Sequence, residues 1–224
     1  MNVKRVFHLA VILWLALQLC SCAWFQPKEE RTAQELAQEG MKAFRDENYT
    51  RSVEAFEKLR DWYPFSKYAI LAELKLGDAH YCLRQYNEAI VAYEAFESLH
   101  PKNEAVPYVV YQIGRCYFDQ LQAIDRDQTT AREAVRTFER LIRSYPESPQ
   151  AKKAKTHIRI CEKNLAEHSF HVGRFYYRTK HYKAALERFK TVLTSYPDLG
   201  VHYKALQYIA LCQAKIENPA SEPQ

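Results

Sequence analysis

Histidine and cysteine are the residue types in this chain that most often bind metals or act as nucleophiles, and the sequence contains eight histidines and six cysteines. His168 and His171, three residues apart, would share one face of a helix, but no third ligand of suitable spacing lies near them. The sequence also lacks a glycine-rich phosphate loop, a GxSxG motif and a recognisable catalytic triad. We therefore expect no metal site, no cofactor and no enzymatic activity.

Four of the cysteines are widely separated and form no CxxC pair. Each falls on a predicted helix among apolar residues, so the default expectation is a buried free thiol at Cys82, Cys116, Cys161 and Cys212. An oxidising compartment would allow disulfides between these cysteines, but the sequence alone does not pair them.

The first 21 residues have the organisation of an export signal. Two basic residues, Lys4 and Arg5, precede an apolar run at residues 6–19, which is shorter than the roughly 20 residues that a membrane-spanning helix needs. The run ends in Leu19-Cys20-Ser21-Cys22, which resembles a bacterial lipobox. Residues 1–21 are therefore predicted to be a lipoprotein signal peptide, with Cys22 as the lipidated residue. The alternatives are an ordinary cleaved signal and, less favoured, a single-pass anchor.

Acyl chains on Cys22 would hold the mature protein to a bilayer surface, with residues 22–31 as a short tether. Ala23 and Trp24 stand where an aspartate commonly retains such lipoproteins at the inner membrane, so we expect lipid anchoring at the outer membrane, facing the periplasm. The formal charge of +5 becomes +3 when the two basic residues of the signal leave with it. Because acidic residues are interleaved with the basic ones, this charge does not indicate nucleic-acid binding.

The mature sequence is organised by one recurring pattern. Gly40, Gly77 and Gly173 each precede a proline by 24 residues, and Gly114 precedes one by 32 residues because its copy carries an insertion. Four of the five glycines of the chain thus occupy one slot. An aromatic residue and, four positions before it, a small residue also recur: Phe56, Tyr93, Phe138 and Phe189, with Ser52, Ala89, Ala134 and Ala185. This pattern is typical of tetratricopeptide repeats, which are antiparallel helix pairs of about 34 residues.

A glycine inside a helix costs roughly 1 kcal/mol relative to alanine, so its recurrence needs a physical reason. We attribute it to the close approach of the two helices of each repeat, with the recurring aromatic side chain filling the gap between them. A proline ends the second helix of each repeat because it lacks an N–H and crowds the preceding turn. The sequence therefore predicts an all-α, superhelical tetratricopeptide-repeat solenoid of about four and a half helix pairs.

The predicted solenoid covers residues 32–217 as one domain. Its repeats are placed at about residues 33–66, 68–103, 106–148 and 150–198, followed by a capping helix at 201–216 and a disordered tail at 218–224. Ala210 takes the glycine slot of the capping helix, and Ser66 is expected to cap the first helix of the second repeat.

Residues 149–180 predict one long helix, because they contain no proline after Pro149 and no glycine except Gly173. Such a helix would measure roughly 45 Å and would reach beyond its own repeat. The alternative is two helices with a kink near Glu167 and His168.

The concave groove of a tetratricopeptide array is lined by the first helix of each repeat, and extended peptides commonly bind there. Arg45, Tyr68, Glu73 and Arg84 are the candidate groove contacts in the first two repeats. The aromatic residues that flank Tyr63-Pro64 are less clearly core residues and could form an exposed edge. The predicted contacts of a substrate peptide are therefore Trp62, Phe65, Tyr68 and Arg84.

Several features occur together along the chain. They are the lipobox at Cys22, Tyr-Pro-Phe at residues 63–65, HPKNEAVPYVVYQIG from residue 100, Asp-Arg-Asp at residues 125–127, and FHVGRFYYRTKHYKAALERF from residue 170. In this combination the chain resembles, over essentially its whole length, the BamD-type (YfiO/ComL) lipoproteins of the outer-membrane β-barrel assembly machinery. Generic repeats would explain the glycines and prolines but not the insertion combined with a long helix in the fourth repeat.

The resemblance implies a periplasmic scaffold that binds the barrel protein BamA through its carboxy-terminal repeats and unfolded outer-membrane proteins through its amino-terminal repeats. Other Bam lipoproteins are further implied partners. Arg188 aligns with a family arginine on the BamA-facing side, so the resemblance implies a contact there. Family members often have one more helix after residues 201–216, and the chain departs from the family pattern at this point.

Two competing interpretations come from different classes of protein. One is another periplasmic tetratricopeptide lipoprotein, either a pilus-secretin pilotin or a cell-division coordinator linked to the Tol-Pal system. A pilotin would be expected to have regular repeats of about 34 residues, without the insertion and the long helix. The other is an enzymatic role in envelope metabolism, which would require an acidic or histidine pair lining one pocket.

Overall fold

The computed structural model describes residues 31–218, which form nine α-helices and no β-strand. In chain order the helices are α1 (Ala33–Arg45), α2 (Tyr49–Trp62), α3 (Ala69–Cys82), α4 (Tyr86–Leu99), α5 (Val106–Phe118), α6 (Thr129–Ser144), α7 (Pro149–Arg178), α8 (Tyr182–Ser195) and α9 (His202–Glu217). The signal peptide, Cys22, residues 22–30 of the tether and residues 219–224 of the tail lie outside the described residues.

The helices stack as a solenoid. Their main contacts join neighbours in chain order, supplemented by contacts of α1 with α3 and of α5 with α7. Such a nearest-neighbour pattern is what repeat arrays produce, because each repeat buries its apolar face only against the repeats beside it. The predicted fold class, an all-α tetratricopeptide solenoid of four and a half helix pairs, is confirmed.

The recurring glycines lie where the two helices of a repeat touch. A Cβ atom added to Gly114 would be 2.4 Å from a ring atom of Phe138, and one added to Gly40 would be 2.6 Å from the ring of Phe56. Gly77 and Gly173 meet the rings of Tyr93 and Phe189 in the same way. The predicted reason for the glycines, the close approach of a buried aromatic ring, is therefore confirmed in all four repeats.

Three of the nine described helices begin with a side-chain cap, at Thr32, Asn48 and Ser148. Thr32 caps α1 in a reciprocal capping box with Glu35, and Ser148 caps α7 by accepting from the N–H of Ala151. The prediction for Ser66 is wrong: α3 begins after Tyr68 without a side-chain cap, and the buried hydroxyl of Ser66 has no partner among the described residues. Ser66 instead belongs to a turn that precedes the helix.

The long helix α7 is continuous from Pro149 to Arg178, so the alternative of a kink near Glu167 is wrong. Its length lets it pack on both helices of the third repeat as well as on α8. The insertion of the third repeat lies against its middle, where His168 Nδ1 donates to the carbonyl of Ile124 (2.6 Å) and Asn164 donates to the carbonyl of Gln122 (3.1 Å). His168 therefore has a structural role in holding the insertion.

The last described helix, α9, has one covered face. Ala205 and Cys212 are buried against α8, whereas Ala210, in the glycine slot, is exposed because no helix packs on it within the described residues.

Candidate partner-binding surfaces

The first two repeats form a cleft between α1 and α3. Its wall on α1 consists of side chains that recur every three or four residues and therefore share one face of the helix. Tyr68 and Leu71, at the start of α3, form the opposite wall. The lining is mainly apolar, with one cationic side chain: Gln34, Ala37, Gln38, Met41, Arg45, Tyr68 and Leu71.

Arg45 gives this cleft its charge. It is the last residue of α1, it is exposed, and its guanidinium has no hydrogen-bond or ion-pair partner among residues 31–218. A guanidinium presents five N–H donors in a planar fork that matches a carboxylate. The cleft can therefore hold apolar side chains beside a carboxylate group.

The four residues predicted to contact a substrate peptide do not form one site. Tyr68 lines the cleft. Trp62, the last residue of α2, and Phe65, in the loop that follows, lie outside it, with 54% and 100% of their surface exposed. The cleft residues Met41 and Leu71 were not among the predicted contacts, although the spacing of Met41 and Arg45 on one helical face was visible in the sequence.

Arg84 lies at the other end of α3, in the turn to α4. Since α3 has 14 residues, this end is about 20 Å from the start of the helix at Tyr68. Arg84 adopts a left-handed conformation (φ 59°), as do Glu47 and Lys180 in the corresponding turns. In all three turns three backbone hydrogen bonds close the helix end, for example from Gln85 N to His80 O (3.0 Å), so the backbone of Arg84 has a structural role.

The carboxylate of Glu73, another predicted groove contact, already has a partner within the chain. Its carboxylate pairs with the Nε2 of His100, and both side chains are largely buried, with 16% and 23% of their surface exposed. The pair joins α3 to the end of α4. We therefore assign Glu73 to packing between helices.

The second and third repeats share a buried polar network around Asp78. Its carboxylate accepts from the hydroxyls of Tyr93 and Tyr108 (both 2.8 Å) and from Lys75 Nζ (2.7 Å). Burial, and secondarily the charge of Asp78, raises the pKa of both phenols, which keeps them protonated as donors. Lys75 also lies 4.8 Å from the ring centre of Phe44. The charges of this network are thus neutralised within the chain.

A second internal cluster joins α3 and α5. Arg115 donates to the hydroxyl of Tyr81 (2.6 Å) and to the carboxylate of Asp119 (3.1 Å), and Tyr81 also donates to Asp119. Sequence reasoning missed both networks, because their members come from different helices. The guanidinium of Arg45, by contrast, has no such partner within the described part of the chain.

Arg188, the predicted BamA contact, lies on the exposed face of α8. It follows Glu187, which pairs with Lys190 (2.9 Å), but Arg188 itself has no such partner in the described range. Arg188 lies in the fourth repeat, 117 residues along the chain from Leu71, the cleft residue nearest to it in sequence. The structure therefore separates the two predicted binding regions.

A family model described as "YfiO: Outer membrane lipoprotein" matches residues 29–222, which include all nine helices. The chain belongs to this family. The resemblance found in the sequence is thereby confirmed.

Several relatives of this YfiO-family chain carry the name outer membrane protein assembly factor BamD. The Caulobacter vibrioides protein is 31% identical over 165 residues, which are 74% of this chain and 54% of the relative. The Neisseria gonorrhoeae protein is 28% identical over 226 residues, 94% of this chain and 85% of the relative. The chain thus spans about half the length of the Caulobacter relative and most of the Neisseria relative.

Solved structures similar to this YfiO-family chain include the TPR2AB-domain:pHSP90 complex of yeast Sti1. It is 13% identical with a TM-score of 0.47, over 82% of this chain and 70% of the other. A tetratricopeptide protein of Thermus thermophilus has a TM-score of 0.44 and 15% identity, over 80% of this chain and 100% of the other. Similarity at this level gives no information on binding partners.

The four cysteines within residues 31–218 of this YfiO-family chain are free thiols. Cys116, Cys161 and Cys212 are buried, and burial raises the pKa of Cys116 and Cys161 to about 12. The prediction for Cys82 is wrong: it is exposed, because it is the last residue of α3. No cluster of three metal-ligating side chains occurs between residues 31 and 218. In the same range, no helix combines the length and apolar character needed to cross a bilayer.

Proposed function

We propose that this YfiO-family chain is a non-catalytic scaffold of the machinery that assembles β-barrel proteins in the outer membrane. The observation that carries the proposal is the family match over residues 29–222, together with relatives named outer membrane protein assembly factors that align with up to 94% of the chain. The open groove of the solenoid and its unpaired exposed arginines suit the binding of other chains.

The scaffold is held to the outer membrane by acyl chains on Cys22 and faces the periplasm. Arg31, the first described residue, follows Cys22 by nine positions. An extended chain of that length spans at most about 30 Å, so the tether keeps the first repeat close to the bilayer. The description of the matched family as an outer membrane lipoprotein supports this part of the proposal.

The cleft between α1 and α3 receives the terminal segment of an unfolded outer-membrane protein. Met41, Tyr68 and Leu71 contact its apolar side chains, and Arg45 binds the terminal carboxylate. A charge-assisted bidentate contact of this kind is among the stronger hydrogen bonds that proteins make. The support for it is the unpaired guanidinium of Arg45 beside an apolar wall.

The exposed face of α8 binds a BamA-type barrel protein, with Arg188 as a contact. Arginines at the centre of an interface often contribute much of the binding energy, and an unpaired one needs no internal ion pair to be broken first. Loss of one member of a desolvated charge pair typically costs about 2–5 kcal/mol, which corresponds to about thirtyfold or more in affinity.

A pull-down from gently solubilised membranes with a carboxy-terminal tag tests the proposal. Wild-type protein is expected to recover a large β-barrel protein with repeated periplasmic domains, and Arg188→Glu is expected to lose it. Lys183→Glu is the matched control, because it makes the same charge reversal on another exposed face of α8.

Two outcomes separate the parts of this proposal. Recovery that survives Arg188→Glu would refute the contact residue and keep the assembly function. Recovery of a secretin or of a Pal-type lipoprotein in place of the barrel protein would refute the assembly function.

A further inference from the structure

The loop between the first two repeats presents an apolar side chain at the tip of a rigid turn. The N–H of Ser66 donates to the carbonyl of Tyr63 (3.0 Å), and Pro64 restricts the backbone at the second position of the turn. Phe65 occupies the third position, where it is 100% exposed. Its exposure thus belongs to a hydrogen-bonded turn that holds the ring in solvent.

The corresponding turns of the next two repeats show that the fold does not require an apolar residue there. The same hydrogen bond joins Asn103 to His100 (2.9 Å) and Ser148 to Tyr145 (3.1 Å), each across a Tyr/His-Pro pair. The tip residues of these turns are Lys102 and Glu147. Phe65 is therefore not a packing residue, and polar substitutions at this tip are compatible with the turn.

Trp62 extends the apolar surface beside this tip. It is 54% exposed at the end of α2, and the residue in the same slot of the next repeat, Leu99, is 65% exposed. Lys67 and Lys102 are exposed in the loops that follow α2 and α4. Tryptophan and other aromatic residues accompanied by lysine are the composition of side chains that sit at the interface of a membrane with water. We name Trp62 and Phe65 the aromatic edge.

The same turn holds the start of the described chain. The hydroxyl of Tyr63 donates to the carbonyl of Arg31 (2.9 Å), 32 residues earlier in the sequence. The segment that leads to Cys22 therefore leaves the fold at the aromatic edge. Nine positions separate Arg31 from Cys22, so this edge lies within about 30 Å of the proposed lipid anchor, measured along an extended tether.

We infer that the aromatic edge is a second membrane contact, at which Trp62 and Phe65 insert into the interfacial layer of the phospholipid bilayer that holds the acyl chains of Cys22. The inference rests on the lipid anchor of the proposed function. Because the anchor makes the second contact intramolecular, a weak interaction suffices for it to form. Two contacts restrict the orientation of the solenoid on the membrane more than the lipid anchor alone does.

Tryptophan fluorescence of the lipidated full-length protein tests this contact. Of the three tryptophans, Trp14 lies in the predicted signal peptide, so Trp24→Phe leaves Trp62 as the reporter in the mature protein. The protein is placed in vesicles of phosphatidylethanolamine and phosphatidylglycerol, with or without bromine on the upper acyl carbons. We expect the brominated lipid to quench Trp62 and the emission to shift to shorter wavelength than in detergent-free solution of the unlipidated chain.

Two further variants locate the contact. Phe65→Lys copies the residue of the second-repeat turn and should weaken the docked state about tenfold or more, which reduces the quenching of Trp62. Phe175→Lys removes an aromatic residue that is 51% exposed near the end of α7, in the fourth repeat, and should leave the quenching unchanged.

Flotation of the vesicles separates this inference from the anchor. Protein that floats with the vesicles but shows no quenching keeps the anchor and overturns the inference. Protein that does not float refutes the anchor and, with it, the inference. Trp62 emission that responds to an outer-membrane-protein peptide and not to brominated lipid would also overturn the inference, because the edge would then be a peptide contact.

Discussion

Replacing Gly114 by alanine probes the contact on which the repeat architecture depends. The new Cβ would lie 2.4, 2.7 and 2.9 Å from three ring atoms of Phe138, well inside the van der Waals distance. Phe138 has little room to retreat, because its ring is fully buried, stacks on His157 (centroids 5.4 Å apart) and touches Tyr111 (5.8 Å). The helices α5 and α6 must therefore separate, or the ring must leave its rotamer.

Two opposing contributions set the magnitude of this change. Alanine gains about 1 kcal/mol over glycine in a helix interior. Overpacking of a close-packed core typically costs about 1–3 kcal/mol, and the short distances place this site at the upper end. The expected net loss is about 2 kcal/mol, which for a domain of this size lowers Tm by about 4–8 °C.

Thermal and urea unfolding followed by far-UV circular dichroism measures this loss. Ala210→Gly is the matched control, because Ala210 occupies the same slot of α9 but is exposed. It should cost about 1 kcal/mol through helix propensity alone. In the Gly114→Ala background, the second substitution Phe138→Leu should recover part of the lost free energy of unfolding, because a smaller side chain relieves the overlap. A Gly114→Ala protein as stable as wild type would refute the close-approach explanation for all four glycines.

Two further predictions concern the cleft and the response to pH. Arg45→Gln should lower the affinity for a peptide with a free terminal carboxylate about tenfold to a hundredfold, measured by fluorescence anisotropy. The affinity for the amidated form of the same peptide should stay unchanged, and equal losses for both forms would exclude a carboxylate contact. Burial, aided by the charge of Arg115, lowers the pKa of His157 from 6.5, so the unfolded chain takes up this proton more readily than the folded chain. Stability should therefore fall as the pH drops from about 7 to 5, and His157→Phe should flatten that slope; an unchanged slope would contradict the assignment.

Helix pairing was predictable from the sequence because the repeat pattern encodes it locally. A glycine, an aromatic residue and a proline at fixed intervals determine the length of each helix and the face that it buries. The absence of proline and of most glycines is also a local feature, and it predicted α7, which is one helix of 30 residues. These features depend on residues close in sequence, or on contacts within one repeat.

Side-chain environments at the surface depended on tertiary structure, because they are set by neighbours from other repeats. Arg45 is unpaired and faces Tyr68 across a cleft, whereas Glu73, a similar candidate in sequence, is occupied by His100. Cys82 is exposed because the end of α3 leaves it uncovered, although its sequence neighbours predicted burial.

The sequence by itself determined that this chain is a tetratricopeptide solenoid of a lipoprotein family, because periodicity and motifs are properties of the order of residues along the chain. Tertiary structure alone decided which charges remain free and which surfaces adjoin. It separated Arg84 from Tyr68 by the length of α3, gathered Asp78, Tyr93 and Tyr108 into one buried network, and brought Arg31 to Tyr63. The physical reason is that hydrogen bonds and burial require atoms to meet in space, and the distances between these atoms follow from how helices stack.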